Sequence, residues 1–201
     1  DTSNYTNGGL PYLKGLNPEL PPNVTPVKQP AYLSASSMSL EAVLLTDGFL
    51  PLTRAGFIWS KAPEQTNLEQ GDLLELTPGE VADGNLKGSA TDLEKSTVYY
   101  VRTFAENDQG ISFSDTVQIT TPPFEVSPED SVSFLIQNKE DLHALTQLPE
   151  FWNRRYIQTD DIILTSADFE EGGMFYNEAA GYEPIGNNDT RFTGSYNGDG
   201  H

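Results

Sequence analysis

The sequence predicts a mostly β chain: a β-sandwich followed by a small β-rich domain with one short helix. Three observations carry that prediction. About seven short strand-like segments lie within roughly 100 residues, with turn residues between them. Glycine and proline supply 17 and 14 of the 201 residues and apolar residues only 36%, a mix suited to short strands joined by many turns. One stretch alone, from Asn138 to Leu148, combines a cap residue with helical spacing.

Residues 1–22 are rich in Asn, Gly and Pro and show no period, so they read as a leader or linker. Tyr5, Leu10, Tyr12 and Leu13 give it apolar anchors should it pack. The sandwich is expected over 23–122. Ala31 to Ala35 reads as a first strand. Met38, Leu40, Ala42 and Leu44 alternate with Ser39, Glu41 and Val43, the period of a half-buried strand. Thr46-Asp47-Gly48 marks a turn. Ala55 to Ser60 is the next strand, with Gly56 allowing a close backbone approach. Residues 61–84 are loop-like, with a short strand near Leu73 to Leu76. Leu86 to Ala90, Val98 to Ala105 and Ile111 to Thr120 complete the set, the last two joined by a turn at Asn107 to Gly110.

Pro122 and Pro123 end that run, and 123–131 reads as a linker to a second domain over 132–201. Val132 to Ile136 is a short strand. Asn138 is an N-cap, and Glu140 and Asp141 fall in the first turn, where the helix dipole favours carboxylates. Leu142, Leu145 and Leu148 share a face, so Lys139 to Gln147 is a helix ended by Pro149. Tyr156 to Leu164 is a strand, 166–183 a long loop, and Tyr182 to Gly186 and Phe192 to Tyr196 are strand-like pieces before the turn at 197–200.

Eleven Lys and Arg stand against 30 Asp and Glu, a formal net charge of -19. Such a surface repels phosphate backbones and anionic lipid, which argues against nucleic-acid partners. With no cysteine there are no disulfides, thiolate metal sites or Cys nucleophiles. No apolar run nears the ~20 residues of a membrane span. The chain opens at Asp1 without an initiator Met, so it reads as a processed or trimmed chain, and any export signal or lipid anchor would lie upstream.

Residues 93–110 resemble fibronectin type III domains, through Leu93, Tyr99, Val101, Thr103, Ala105, Asn107 and Gly110. The resemblance implies that Tyr99 is the corner tyrosine and that Val101, Thr103 and Ala105 face the core. Thr46 to Ser60 resembles the variant found in surface proteins of anaerobic Gram-negative bacteria. The second-strand tryptophan of animal versions is absent, and Met38 or Leu40 would fill its place. The second half resembles the entry segment of GLUG-type repeat proteins, bacterial surface adhesins and peptidases. It does so through Phe134 to Ile136, Glu140 to Leu142, Trp152, Asp160 to Ile162, Pro184 to Gly186, and Phe192 to His201. That resemblance implies a right-handed β-helix, here truncated at His201.

No catalytic set is expected. His143 reads as a structural histidine, and Asp160-Asp161 and Glu170-Glu171 as neighbours that do not share a site. If a cofactor is bound, Ca²⁺ is the reasonable ion, with Asp160, Asp161, Asp189 and Asp199 as candidate ligands. For stacking on sugar rings the candidates are Trp152, Tyr156, Tyr176 and Tyr182. The expected function is that of an exported, non-enzymatic cell-surface adhesion or spacer protein at the outer membrane or beyond. Its partner would be a glycan or a protein of a host or neighbouring cell. The alternatives are a glycan-binding accessory module, or the N-terminal part of a larger surface peptidase or lyase.

Overall fold

The computed structural model describes residues 19–201 except Pro78, Ala82 and Ala179. The chain divides into two compact units. The first comprises residues up to 31, 38–91 and 97–120, and the second comprises 32–37, 92–96 and 121–201.

The first unit is a fibronectin-III-like β-sandwich. Strands β1 (Asn23–Val24), β2 (Met38–Thr46) and β5 (Asn85–Ala90) form an antiparallel sheet in the order β1-β2-β5. The other sheet runs β4 (Asp72–Leu76), β3 (Arg54–Ser60), β6 (Val98–Asn107), and then β7 (Gly110–Phe113) and β8 (Val117–Thr120), which both pair with β6. Strands crossing between sheets in this order define the sandwich. The alternation read in the sequence sets the core: Met38, Leu40 and Ala42 face inward with Leu86, Phe57, Val101 and Ala105, all at most 1% exposed. Tyr99 and Thr103 are buried among them, and Met38 and Leu40 are the large buried side chains of β2.

Two strands differ from expectation. Residues 31–35 form bends with a single bridge position at Leu33 rather than a strand, Ser34 N–H donates to Ser37 O at 2.8 Å, and the first strand is Asn23–Val24. Pro30 removes a ladder donor just before that segment, and Ser34, which belongs to the second unit, uses its hydroxyl within that unit to hold Glu125 and the Val126 N–H. The segment 111–120 is two strands. Ser114 Oγ accepts from Thr103 N–H at 3.0 Å, replacing a ladder bond with a side-chain bond and interrupting the strand.

Asn107 closes one end of the sandwich. Its Nδ2 donates to Leu20 O and to Asp47 O, both at 2.7 Å, while its Oδ1 accepts from Gln109 N–H at 2.9 Å. Leu20 and Gly48 are also joined by their backbones at 3.1 Å. The apolar anchors proposed for the leader, Tyr5 to Leu13, lie outside the described residues.

In the second unit, β9 (Phe134–Ile136), β10 (Arg155–Gln158) and β11 (Ser195–Asn197) form a parallel sheet in sequence order, with Phe134, Tyr156 and Tyr196 in register. Helix α1 (Lys139–Gln147) follows β9, and a short helix α2 (Ser166–Phe169) lies within the long loop. The core gathers Phe124, Val126, Phe134, Ile136, Leu145, Trp152 and Tyr156. Residues 123–131 are therefore no linker. Phe124 is 1% exposed and its ring meets Phe134 at 5.5 Å and Tyr156 at 5.7 Å, while Val126 bridges to Phe134. The strand expected over 156–164 stops at Gln158, and Tyr182 to Gly186 forms no strand.

Candidate ligand-binding face of the second unit

The face is organised by α1. Asn138 Oδ1 accepts from Asp141 N–H at 2.9 Å, and Asp141 reaches back to Gln137 N–H at 3.1 Å, so the two side chains satisfy helix-end donors together. The long loop is fastened to this helix. Thr165 and Asp168 form a capping box on α2, and Asp168 also accepts from Lys139 Nζ of α1 at 2.6 Å.

From that anchor the chain returns so that Phe175 N–H donates to Asp168 O at 2.8 Å. Phe175 is buried, edge-on to His143 of α1 at 5.2 Å and beside Phe169 at 5.9 Å. Tyr182 then stacks on Phe175, with ring centres 5.5 Å apart and planes 25° from parallel. One face of the Tyr182 ring is thus covered, yet the residue remains 38% exposed. Beside it in the chain, Glu183 accepts from Gln147 Nε2 at 2.7 Å, a second tie to α1. Tyr196 is 36% exposed, and its hydroxyl donates to Gln158 Oε1 at 2.8 Å. Partial burial, and then the neighbouring Tyr196, raise the Tyr182 phenol above its usual value, so both rings stay neutral across the physiological range.

The stacking candidates divide sharply. Tyr182 and Tyr176 are exposed. Trp152 and Tyr156 are core residues, 3% and 1% exposed, and cannot stack on a ligand. Each spends its polar atom on the backbone: Trp152 Nε1 donates to Leu145 O at 2.6 Å and Tyr156 Oη to Phe151 O at 2.7 Å. Burial pushes the Tyr156 phenol up. Tyr196, which sequence reasoning passed over, joins the exposed set. Its only signal was its place in an in-register strand with Tyr156, visible once the pairing is known.

Of the four candidate calcium ligands, Asp160 and Asp161 use their carboxylates in local contacts, and Asp189 and Asp199 enter theirs through the backbone. Asp161 faces His201 Nδ1 at 3.3 Å, Asp160 Oδ2 accepts from Thr159 Oγ1 at 3.3 Å, and Asp189 and Asp199 donate their N–H groups to Asn187 and Asn197 side chains in tight turns. Among the described residues, no three His, Asp or Glu side chains are grouped as a metal ion would require. Asp168 is committed to α2 and Lys139. His143 packs on Phe175.

The Lys139 ammonium, then the Thr165 backbone and hydroxyl, lower the Asp168 carboxyl from 3.8 to about 2. Ser133 and the Val132 N–H hold Asp130 equally low. A folded-state value below the unfolded one stabilises the protein above the unfolded value, and that contribution is lost as pH falls through about 2. Asp168→Asn is therefore expected to lower stability at neutral pH and to flatten, without abolishing, the loss between about pH 4 and 2. Urea denaturation repeated at each pH measures this, and an unchanged acid profile would contradict the assignment.

No known protein family matches the sequence, and no curated protein does. Solved structures resemble parts of it. The sensor domain of the anti-sigma factor RsgI4 from Pseudobacteroides cellulosolvens is 11% identical, covering 51% of this chain and 95% of that one, with a TM-score of 0.38. A fibronectin type III domain of human fibronectin type III domain containing protein 3 is 19% identical over 58% of this chain and 99% of that one, TM-score 0.38. The sixth such domain of the same human protein is 24% identical over 54% and 87%, TM-score 0.35. The strand order itself defines the class: a β-protein with a two-sheet, fibronectin-III-like sandwich and a second, parallel-stranded unit.

Proposed function

We propose that this chain is an exported, extracellular module of a bacterial surface protein that acts by binding. The sandwich serves as a spacer, and the second unit presents a face for neutral parts of a glycan. One observation carries the reading: Tyr182 is stacked on buried Phe175, with planes 25° apart, and yet stays 38% exposed. A sugar ring stacks best on an aromatic ring whose orientation is set in advance, because little rotamer freedom is then lost on binding. The support beneath Tyr182 is rigid, since Phe175 is wedged against His143 and Phe169 and the loop is tied to α1 through Asp168 and Gln147.

Further support comes from the three parallel strands in sequence order, the pattern that successive coils of a GLUG-type β-helix would produce. The carboxylates of Asp130, Asp141 and Asp168 are engaged in caps and turns. No helix among the described residues is long and apolar enough to cross a membrane.

A glycan array probed with the intact chain tests the reading. At least one saccharide should bind, and Tyr182→Ala should weaken it by up to about tenfold, as a ring contact of 0.5–1.5 kcal/mol implies. Binding unaffected by Tyr182→Ala, or no bound saccharide at all, would overturn it.

A further inference from the structure

Two residues beyond Tyr182, the chain enters an open groove of about 570 Å³. Pro184, Ile185 and Phe192 give it apolar walls, and Asn187, Asn188 and Arg191 give it polar ones. We infer that this groove takes the charged group of an anionic saccharide, with Arg191 as the residue that selects it. The inference rests on the reading of the second unit as saccharide-binding, and it names the ligand class.

The groove is built rather than incidental. Its floor is anchored, because Phe192 and Ile185 pack against the core of the unit and the Phe192 ring lies 6.2 Å from that of Tyr156. Its rim is closed by a tight turn. Asn187 Oδ1 accepts from Asp189 N–H at 3.0 Å and Thr190 N–H at 2.7 Å, and Asn187 N–H donates to Thr190 O at 2.8 Å. Gly186 permits the close approach of the two sides: its φ is +98°, and a Cβ there would lie 2.9 Å from Phe192 N. The turn therefore delivers Arg191 from a fixed backbone.

The charge pattern points to the ligand. Carboxylates outnumber basic residues 30 to 11 in this chain, and Lys28, Arg54, Lys95 and Lys139 are each paired with one. Arg102 is occupied by Ser114 O and the Phe113 ring. Arg191, like Lys87, Arg154 and Arg155, makes no side-chain ion pair or hydrogen bond among the described residues, and of these four it alone lines the groove. A guanidinium left open in a groove offers a planar fork of donors that fits a carboxylate or a sulfate bidentately. Apolar walls beside it suit the C–H face of a pyranose ring. A uronic acid residue or a sulfated sugar combines the two features. A neutral sugar would use the walls alone and leave the guanidinium without a partner.

Calorimetric titration of the intact chain with three probes tests this: an oligogalacturonate, a sulfated galactan oligosaccharide and a neutral galacto-oligosaccharide. At least one acidic probe should bind about tenfold or more tightly than the neutral one, as a charge-assisted hydrogen bond predicts. The acidic probe that wins tells carboxylate from sulfate. Arg191→Gln should erase the preference and bring the acidic probes to the neutral level, whereas Tyr182→Ala should weaken all three. Acidic probes that bind no better than the neutral one would overturn the inference while leaving the Tyr182 platform standing, as would a preference that survives Arg191→Gln. Failure of all three probes to bind would sink both.

Discussion

Phe124→Ala is expected to destabilise the second unit by about 3–5 kcal/mol, the cost of removing a fully buried aromatic ring and leaving its cavity. The magnitude follows from where the ring sits. Phe124 touches Phe134, Phe151 and Tyr156 with centres 5.5, 6.1 and 5.7 Å away, so its loss leaves three aromatic neighbours facing a void. A domain is stable by only about 5–15 kcal/mol in total, so such a loss removes a large share of its margin. The two tryptophans make the measurement clean, because Trp59 lies in the sandwich and Trp152 in the core of the second unit. In a Trp59→Phe background, denaturation followed by fluorescence reports the second unit alone. A loss below about 1 kcal/mol would mean that 123–131 behaves as a connecting segment after all.

The second large effect belongs to the sandwich. Gly56 pairs with Glu75 on one side and Phe104 on the other, and a Cβ at that position would lie 2.0 Å from Leu74 O. The obstacle is backbone, which cannot rotate away, so β3 and β4 must separate. Gly56→Ala should cost toward the upper end of the about 1–3 kcal/mol typical of overpacking. Gly79→Ala is the matched control, since its nearest heavy atom would be 4.0 Å away. Thermal unfolding of both variants decides it. Equal midpoints would contradict the close approach.

Gly56 also shows what the sequence could convey. A glycine inside an otherwise apolar strand signals a near backbone, and the structure places Leu74 there. The helix Lys139–Gln147 agrees with its sequence reading residue for residue, because its cap, its acidic first turn and the proline after it are all local. Strands β2, β3 and β6 were legible for the same reason: alternation needs no knowledge of the partner.

What was not legible depends on distant residues. Phe124 and Val126 alternate as a core strand would, yet Pro122, Pro123 and Pro128 around them carry the composition of a linker. Their burial follows only from pairing with β9. The fate of the aromatics was hidden likewise. Residue type does not tell a core ring from a surface ring, so Trp152 and Tyr156 read like Tyr176 and Tyr182 until the fold separates them. Helix α2 was missed although Thr165 and Asp168 stand at capping-box spacing, because only four residues follow the cap. Parallel pairing of β9, β10 and β11 joins segments separated by long excursions, and no local signal encodes that register.

The functional account holds that ligand meets the protein on the face around Tyr182, at a ring whose position is settled before binding. Amide chemical-shift mapping during titration with an array-positive saccharide tests this most directly. The account predicts shifts clustered between residues 175 and 197, with the sandwich strands unmoved. Shifts gathered instead at the sandwich turns near Asp47 and Asp108, with Tyr182 and its neighbours silent, would contradict it.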